Sequence, residues 1–257
     1  MTERPHGPPS LRRPTPSDFT SALSMGFRDF IANPIPDLVF ASFFVIAGLL
    51  MTWITYVTGH TFWLILAVMG FPLVGTLGAV GFYELSRRRS EGDAAGFGEV
   101  FSEVWSQRGG QLPWLSAIII VTFMFWFFLG HMIFALFLGL SPMTNVSSSL
   151  EVFLTAEGLS MLGFGSAVGA IFAIFVFAIS VLGMPMLLDR DVDFITALLK
   201  SIGAVAETFG AYLMWGLFIA AVTLAAMMPL FLGLFIAMPV LGHATWHLYK
   251  LVSDTDA

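Results

Sequence analysis

Two histidines stand four residues apart in the run Gly242-His243-Ala244-Thr245-Trp246-His247-Leu248-Tyr249-Lys250. On a helix that spacing puts both rings on one face. An imidazole pair so placed can ligate zinc or copper, although a complete site needs one or two further ligands. His131 also lies inside a long apolar run, toward the opposite end of the membrane from the pair. At 1.5 Å of rise per residue the axial offset is on the order of 10 Å. That is too far for a shared ion, and unsuited to two ligands on opposite faces of one haem. The plainer expectation is that His243 and His247 hydrogen-bond within a helix bundle or at its edge. Trp246 and Tyr249 would then be aromatics of the membrane interface. A metal ion or haem on the pair is the alternative; otherwise no cofactor beyond lipid is expected.

A second chemical feature is the cluster Arg87-Arg88-Arg89. It can meet anionic headgroups or serve only to fix topology. Glu84 precedes it at a spacing that allows an i, i+4 pair with Arg88. No nucleophile elbow, phosphate loop, zinc-protease motif or nucleic-acid module is present, so nothing specific argues for an enzyme or a nucleic-acid partner. The chain has no cysteine, which excludes disulfides, thiolate metal sites and cysteine-held iron–sulfur clusters.

The elements that must position these residues are membrane helices. Of 257 residues, 57% are hydrophobic and 11% charged, too few polar groups to cover a soluble domain. The mean hydropathy is +0.87. A spanning helix needs roughly 20 mostly apolar residues. Uncharged runs of that kind predict six spans, at about 38–57, 62–83, 114–140, 161–188, 211–228 and 230–249. The last two are split at Pro229, because about 40 apolar residues are too many for one crossing. All 11 Lys and Arg residues fall in the N-terminal tail, the second or fourth connection, or the C-terminal end. The positive-inside rule then puts both termini in the cytoplasm. A bacterial inner membrane suits such a chain. Residues 1–17 hold five prolines and no apolar core, and read as a disordered cytoplasmic tail; residues 252–257 form a short C-terminal tail.

Between the spans lie amphipathic segments, at about 18–32, 96–108 and 192–208. Asp18-Phe19-Thr20-Ser21-Ala22-Leu23 nearly repeats as Asp193-Phe194-Ile195-Thr196-Ala197-Leu198, with a weaker echo from Phe97 to Phe101. Apolar residues at steps of three and four predict interfacial helices. The unit is an amphipathic helix followed by a membrane hairpin, repeated three times in parallel in an all-α fold. Small residues should mark helix contacts: Gly75, Gly78 and Gly81 on the second span, Gly165 and Gly169 on the fourth.

The stretches Phe82-Tyr83-Glu84-Leu85-Ser86-Arg87-Arg88, Leu187-Leu188-Asp189-Arg190 and Gly242 to Tyr249 resemble a family of bacterial six-span integral membrane proteins of unknown function. Some of its members are labelled cytochrome c oxidase subunits. The resemblance covers roughly residues 18–251 and implies no catalytic residues. It implies, at most, an accessory or assembly subunit of a respiratory complex, because the histidine set of a haem–copper core is absent. Membrane lipids and respiratory oxidase subunits are the partners this suggests. A transporter or channel for a small or lipidic solute is the second reading, motivated by the repeats and the proline-bearing spans. The spans carry no charge, which weighs against ion coupling.

Overall fold

The computed structural model describes residues 4–59, 75, 78–92, 98, 102, 110–139 and 153–253. Helix α1, Pro16–Ala32, starts where Asp18 reaches back to accept a hydrogen bond from the Thr15 backbone N–H at 2.6 Å. It stops at Asn33, whose extended backbone leads into α2, Pro34–Thr58. Prolines at the start of both helices cost no hydrogen bond. Helix α2 ends at Gly59, where φ is +68°, a left-handed turn that glycine adopts without strain.

Helix α3 covers 78–90. Helix α4, Leu112–Leu138, and α5, Ala156–Ser180, form the next pair of long helices. A two-residue break separates α5 from the short α6, Gly183–Asp189. Helix α7, Phe194–Glu207, is capped by Asp193, which accepts from the Thr196 N–H at 2.9 Å. Helix α8, Phe209–Met227, and α9, Leu234–Val252, complete the bundle.

Among the described residues, four helical stretches are long and apolar enough to cross a membrane: α2, α4, α5 with α6, and α8. They coincide with the expected first, third, fourth and fifth spans. The second expected span, 62–83, lies largely outside the described residues, although Gly75 and 78–83 are helical. The sixth takes a different form. Residues 228–233 make a turn in which Leu230 and Phe231 adopt left-handed φ of 51° and 65°, a costly conformation for side-chain-bearing residues. The helix therefore begins only at Leu234. Its residues from Leu241 to Tyr249 are all buried within the chain. It is a central post surrounded by protein, and it is not one of the four.

Helices α1 and α7 match the expected amphipathic segments 18–32 and 192–208 to within two residues. The middle one, 96–108, lies outside the described residues except for Gly98 and Ser102, both helical. Helix α1 packs closely on α9. A side-chain carbon added to Gly26 would stand 2.6 Å from the Ala244 N and 2.7 Å from the Val240 O. Only a glycine permits backbones to approach so closely. The step Ala22-xxx-Gly26 is thus the seat of α1 on α9, and both residues are buried.

The N-terminal tail departs from expectation. From Pro5 onward it is ordered against the domain. The Asp191 N–H donates to the Pro5 carbonyl at 3.0 Å, and the Arg12 N–H donates to the Val252 carbonyl at 2.9 Å. Arg12 also holds Asp18 with two bonds of 2.8 Å. Five prolines lower the entropy that such an extended segment loses on docking, so few hydrogen bonds suffice to fix it.

The apolar interior has two parts. The larger joins α1 and α4 to α9, with Ile179, Leu182, Met184, Tyr212 and Trp246 among its members. The smaller lies where α2, α3 and the 228–233 turn meet, around Phe44, Phe82, Phe231 and Leu234.

Candidate functional site

Several of the buried polar residues come together around helix α9. Helix α9 supplies His243 and His247 from one face, one turn apart, as their spacing predicts. The His243 ring is fully buried and both of its nitrogens are engaged. Nε2 is 2.9 Å from Asp37 Oδ1, and Nδ1 is 2.7 Å from Ser86 Oγ. Ser86 Oγ donates to Asp29 Oδ2 at 2.6 Å. His247 Nε2 lies 2.9 Å from the same oxygen. A continuous chain of contacts therefore runs Asp37, His243, Ser86, Asp29, His247, drawing on α1, α2, α3 and α9.

Arg89 closes the network from α3. Its Nη1 donates to the Asp29 carbonyl at 2.6 Å, and its Nη2 to the Asn33 carbonyl at 2.9 Å. The Asp29 carbonyl is in the last turn of α1, where carbonyls lack helical partners and a cation is favoured. Nη2 also lies 3.3 Å from Asp37 Oδ2. Burial pushes the Asp29 carboxyl up. Hydrogen bonds from His247 and Ser86, with the two imidazoles alongside, outweigh it and leave Asp29 below its ordinary value.

The other two arginines also turn inward. Arg87 grips the fully buried Glu84 with bonds of 2.8 and 2.7 Å and reaches Glu91 at 2.8 Å. Arg88 Nε donates to Glu84 at 2.7 Å, the pairing its spacing predicts. The cluster expected at the headgroups is therefore largely occupied inside the protein. A desolvated Glu84 requires cations at hand, and two of the three arginines supply them.

The aromatics of α9 also differ from expectation. Trp246 and Tyr249 are buried within the chain instead of facing outward. Their rings pack 5.9 Å apart, and the Tyr249 hydroxyl donates to Asp189 at 2.9 Å, beside Lys250 at 3.0 Å. The reason is that α1, α3 and α6 enclose this half of α9. His131 takes no part in the network. It bonds the Phe127 carbonyl of its own helix at 2.8 Å. Among the described residues, no three His, Asp or Glu side chains converge on a point suited to a metal ion.

The glycines largely mark contacts. Gly78 and Gly81 face the rings of Phe44 and Phe40 of α2, and Gly75 is buried and helical. A side-chain carbon added to Gly165 would stand 3.8 Å from Ile133 of α4, an ordinary separation, and one added to Gly169 would stand 3.3 Å from the Trp126 indole nitrogen, a tight one. Asp29, Asp37 and Ser86 carry the network, and sequence reasoning passes over all three. Asp37 and Ser86 have one signal, position: each lies just beyond the uncharged core of a membrane run, where a lone acid or hydroxyl must find a partner from another helix; Asp29, in the last turn of α1, has none.

Residues 64–189 match the family described as "Predicted integral membrane protein (DUF2189)". The matched stretch includes Ser86 and the three arginines and leaves out Asp29, Asp37 and both histidines. No curated protein and no solved structure matches the chain. With its long apolar helices, this similarity identifies the chain as an integral membrane protein.

Proposed function

We propose that the chain is a non-catalytic membrane subunit, an accessory or assembly partner of a respiratory complex such as a terminal cytochrome c oxidase. One observation supports a partner-binding role. The apolar windows of α2, α4 and α8 are only 22%, 11% and 11% buried by the rest of the chain. These faces present aromatic side chains, including Trp53 and Trp114, each more than half exposed. Lipid covers such faces by default, and a partner helix covers them equally well, since large aromatics are favoured at interfaces. Meanwhile the candidate ligands of the interior, His243 above all, are spent on contacts within the chain. Family resemblance alone points to an oxidase as the partner.

The test is extraction of the tagged chain from its native membrane in a mild detergent, followed by a native gel, a visible spectrum and mass spectrometry of co-migrating chains. Oxidase subunits in fixed ratio with haem bands are the expected result. A colourless, partner-free band would overturn the proposal.

A second reading, handling of a lipidic solute, rests on one cavity. A groove of about 560 Å³ opens between α1, α8 and α9, lined by Leu23, Phe27, Phe218, Val222, Ile236 and Val240 among others. It is almost wholly apolar and suits an acyl chain. Co-purified lipid in fixed ratio to a partner-free band would favour this reading.

A further inference from the structure

The contacts of the buried network fix how many hydrogens it must hold. Four heavy-atom contacts join its five side chains: Asp37 to His243, His243 to Ser86, Ser86 to Asp29, and Asp29 to His247. Each is 2.6–2.9 Å long and needs one hydrogen between the atoms. A serine hydroxyl supplies one hydrogen, a neutral imidazole one, and an ionised carboxylate none. Ser86 and two neutral histidines thus supply three hydrogens for four contacts.

Where the fourth belongs follows from the partners. Ser86 commits its hydrogen to Asp29, and His247 donates to the same oxygen. Both remaining contacts are made by His243, through Nδ1 to the Ser86 oxygen and Nε2 to Asp37. An imidazole that donates from both nitrogens carries a positive charge.

We propose that this network is a proton-binding site, with the extra proton held as the His243 imidazolium and clamping α1 and α2 onto α9. It stands whichever partner or solute the chain takes.

Charge balance gives independent support. Among the described residues, the groups facing His243 are Asp29 from α1, Asp37 from α2, Ser86 and Arg89 from α3, and His247 from α9. With His243 charged, two carboxylates meet two cations. With it neutral, one carboxylate charge is left over in a site from which water is largely excluded, an arrangement that burial strongly disfavours. The depressed Asp29 carboxyl, already noted, fits its role as an ionised acceptor of two donors. Proton release is simple to write: Nδ1–H breaks, the proton leaves to solvent, and Nδ1 keeps the electron pair. Ser86 then has one hydrogen for two acceptors, and either its bond to Asp29 or its contact with His243 fails. The clamp is complete at low pH with respect to His243 and weakens as pH rises past the point where the imidazolium lets go.

Ring-nitrogen NMR of the full chain, with ¹⁵N-labelled histidine and in lipid nanodiscs, tests this directly. His243→Gln assigns the resonances. At neutral pH both His243 nitrogens should appear protonated, and raising the pH should convert Nδ1 to the bare form. Asp37→Asn places amide hydrogens against Nε2 and supplies the missing one covalently. His243 in that variant should be neutral, with Nδ1–H toward Ser86, and its titration should vanish. Asp29→Asn closes the same count from the other end and serves if Asp37→Asn does not fold. The structural consequence is read from spin labels on cysteines replacing exposed Phe27 and Ile236, in a chain with no native cysteine. Their distance distribution should broaden with rising pH in the wild-type background and stay unchanged in the Asn variants. A neutral His243 in the wild type, or a protonated-carboxyl infrared band abolished by Asp29→Asn, would overturn the proposal.

Discussion

Helix α1 lies against α9, and α7 lies against α5 and α6, and the two contacts use the same steps of nearly the same sequence. From the opening Asp-Phe, the residues three and seven positions after the phenylalanine are Ala22 and Gly26 in one case, Ala197 and Ser201 in the other. All four are buried. Each pair faces the stretch around a glycine of a neighbouring helix: α1 meets Ala244, just after Gly242, and α7 meets Gly183. The polar content differs. At α7 the serine donates to the Ala178 carbonyl at 2.6 Å and accepts from the Leu182 N–H at 3.3 Å. At α1 the same place is a bare glycine, and one turn further on stand Asp29, its two histidines and Arg89. A step of small residues is therefore enough to seat an amphipathic helix. The charged network is an addition at one of the two seats, which is why it reads as a site and not as packing.

Four changes break or sharpen that contrast, and unfolding in mixed micelles measures each. The largest effect is expected from Asp37→Ala, which leaves Arg89 and His243 buried without their carboxylate. Losing one partner of a buried pair costs about 3–5 kcal/mol. Gly26→Ala comes next. Its new methyl meets backbone atoms on α9 that cannot step aside, and overpacking of this kind costs about 1–3 kcal/mol. Gly203→Ala on α7 is the control. Nothing lies within 4 Å of the added carbon, so it should stabilise by about 0.5–1 kcal/mol through helix propensity. Ser201→Ala should cost about 1–3 kcal/mol, since both hydrogen bonds of the buried serine are lost, with no dependence on pH.

The smallest effect is an acid limb. A carboxyl whose value falls on folding stabilises the fold above its unfolded value, and that contribution is lost as pH falls through the folded one. For Asp29 the loss should begin as pH falls into the ordinary aspartate range and be complete below the depressed folded value, and it should be absent from Asp29→Asn.

The sequence makes the long apolar helices and both amphipathic helices legible, because periodicity and run length are local. It also puts His243 and His247 on one face. It does not reveal that Asp37 is the partner of His243, since 206 residues separate them and an acid at the head of a span looks like any interfacial acid. The arginines mislead for a related reason: three cations after a span suit headgroups equally well until Glu84 and Asp37 are seen to be buried beneath them. Trp246 and Tyr249 carry the composition of a membrane belt, and only the enclosure of α9 by other helices turns them inward. The tail misleads because proline richness is shared by disordered segments and by extended segments that dock.

That tail has a consequence for topology. The backbone at Arg12 touches the backbone at Val252, so whichever side of the membrane holds one must hold the other. Crossings between the two points must then be even in number. Four or six satisfy that parity and five does not, so a single pair of side-specific reporters at the two ends tests whether the number of crossings is even.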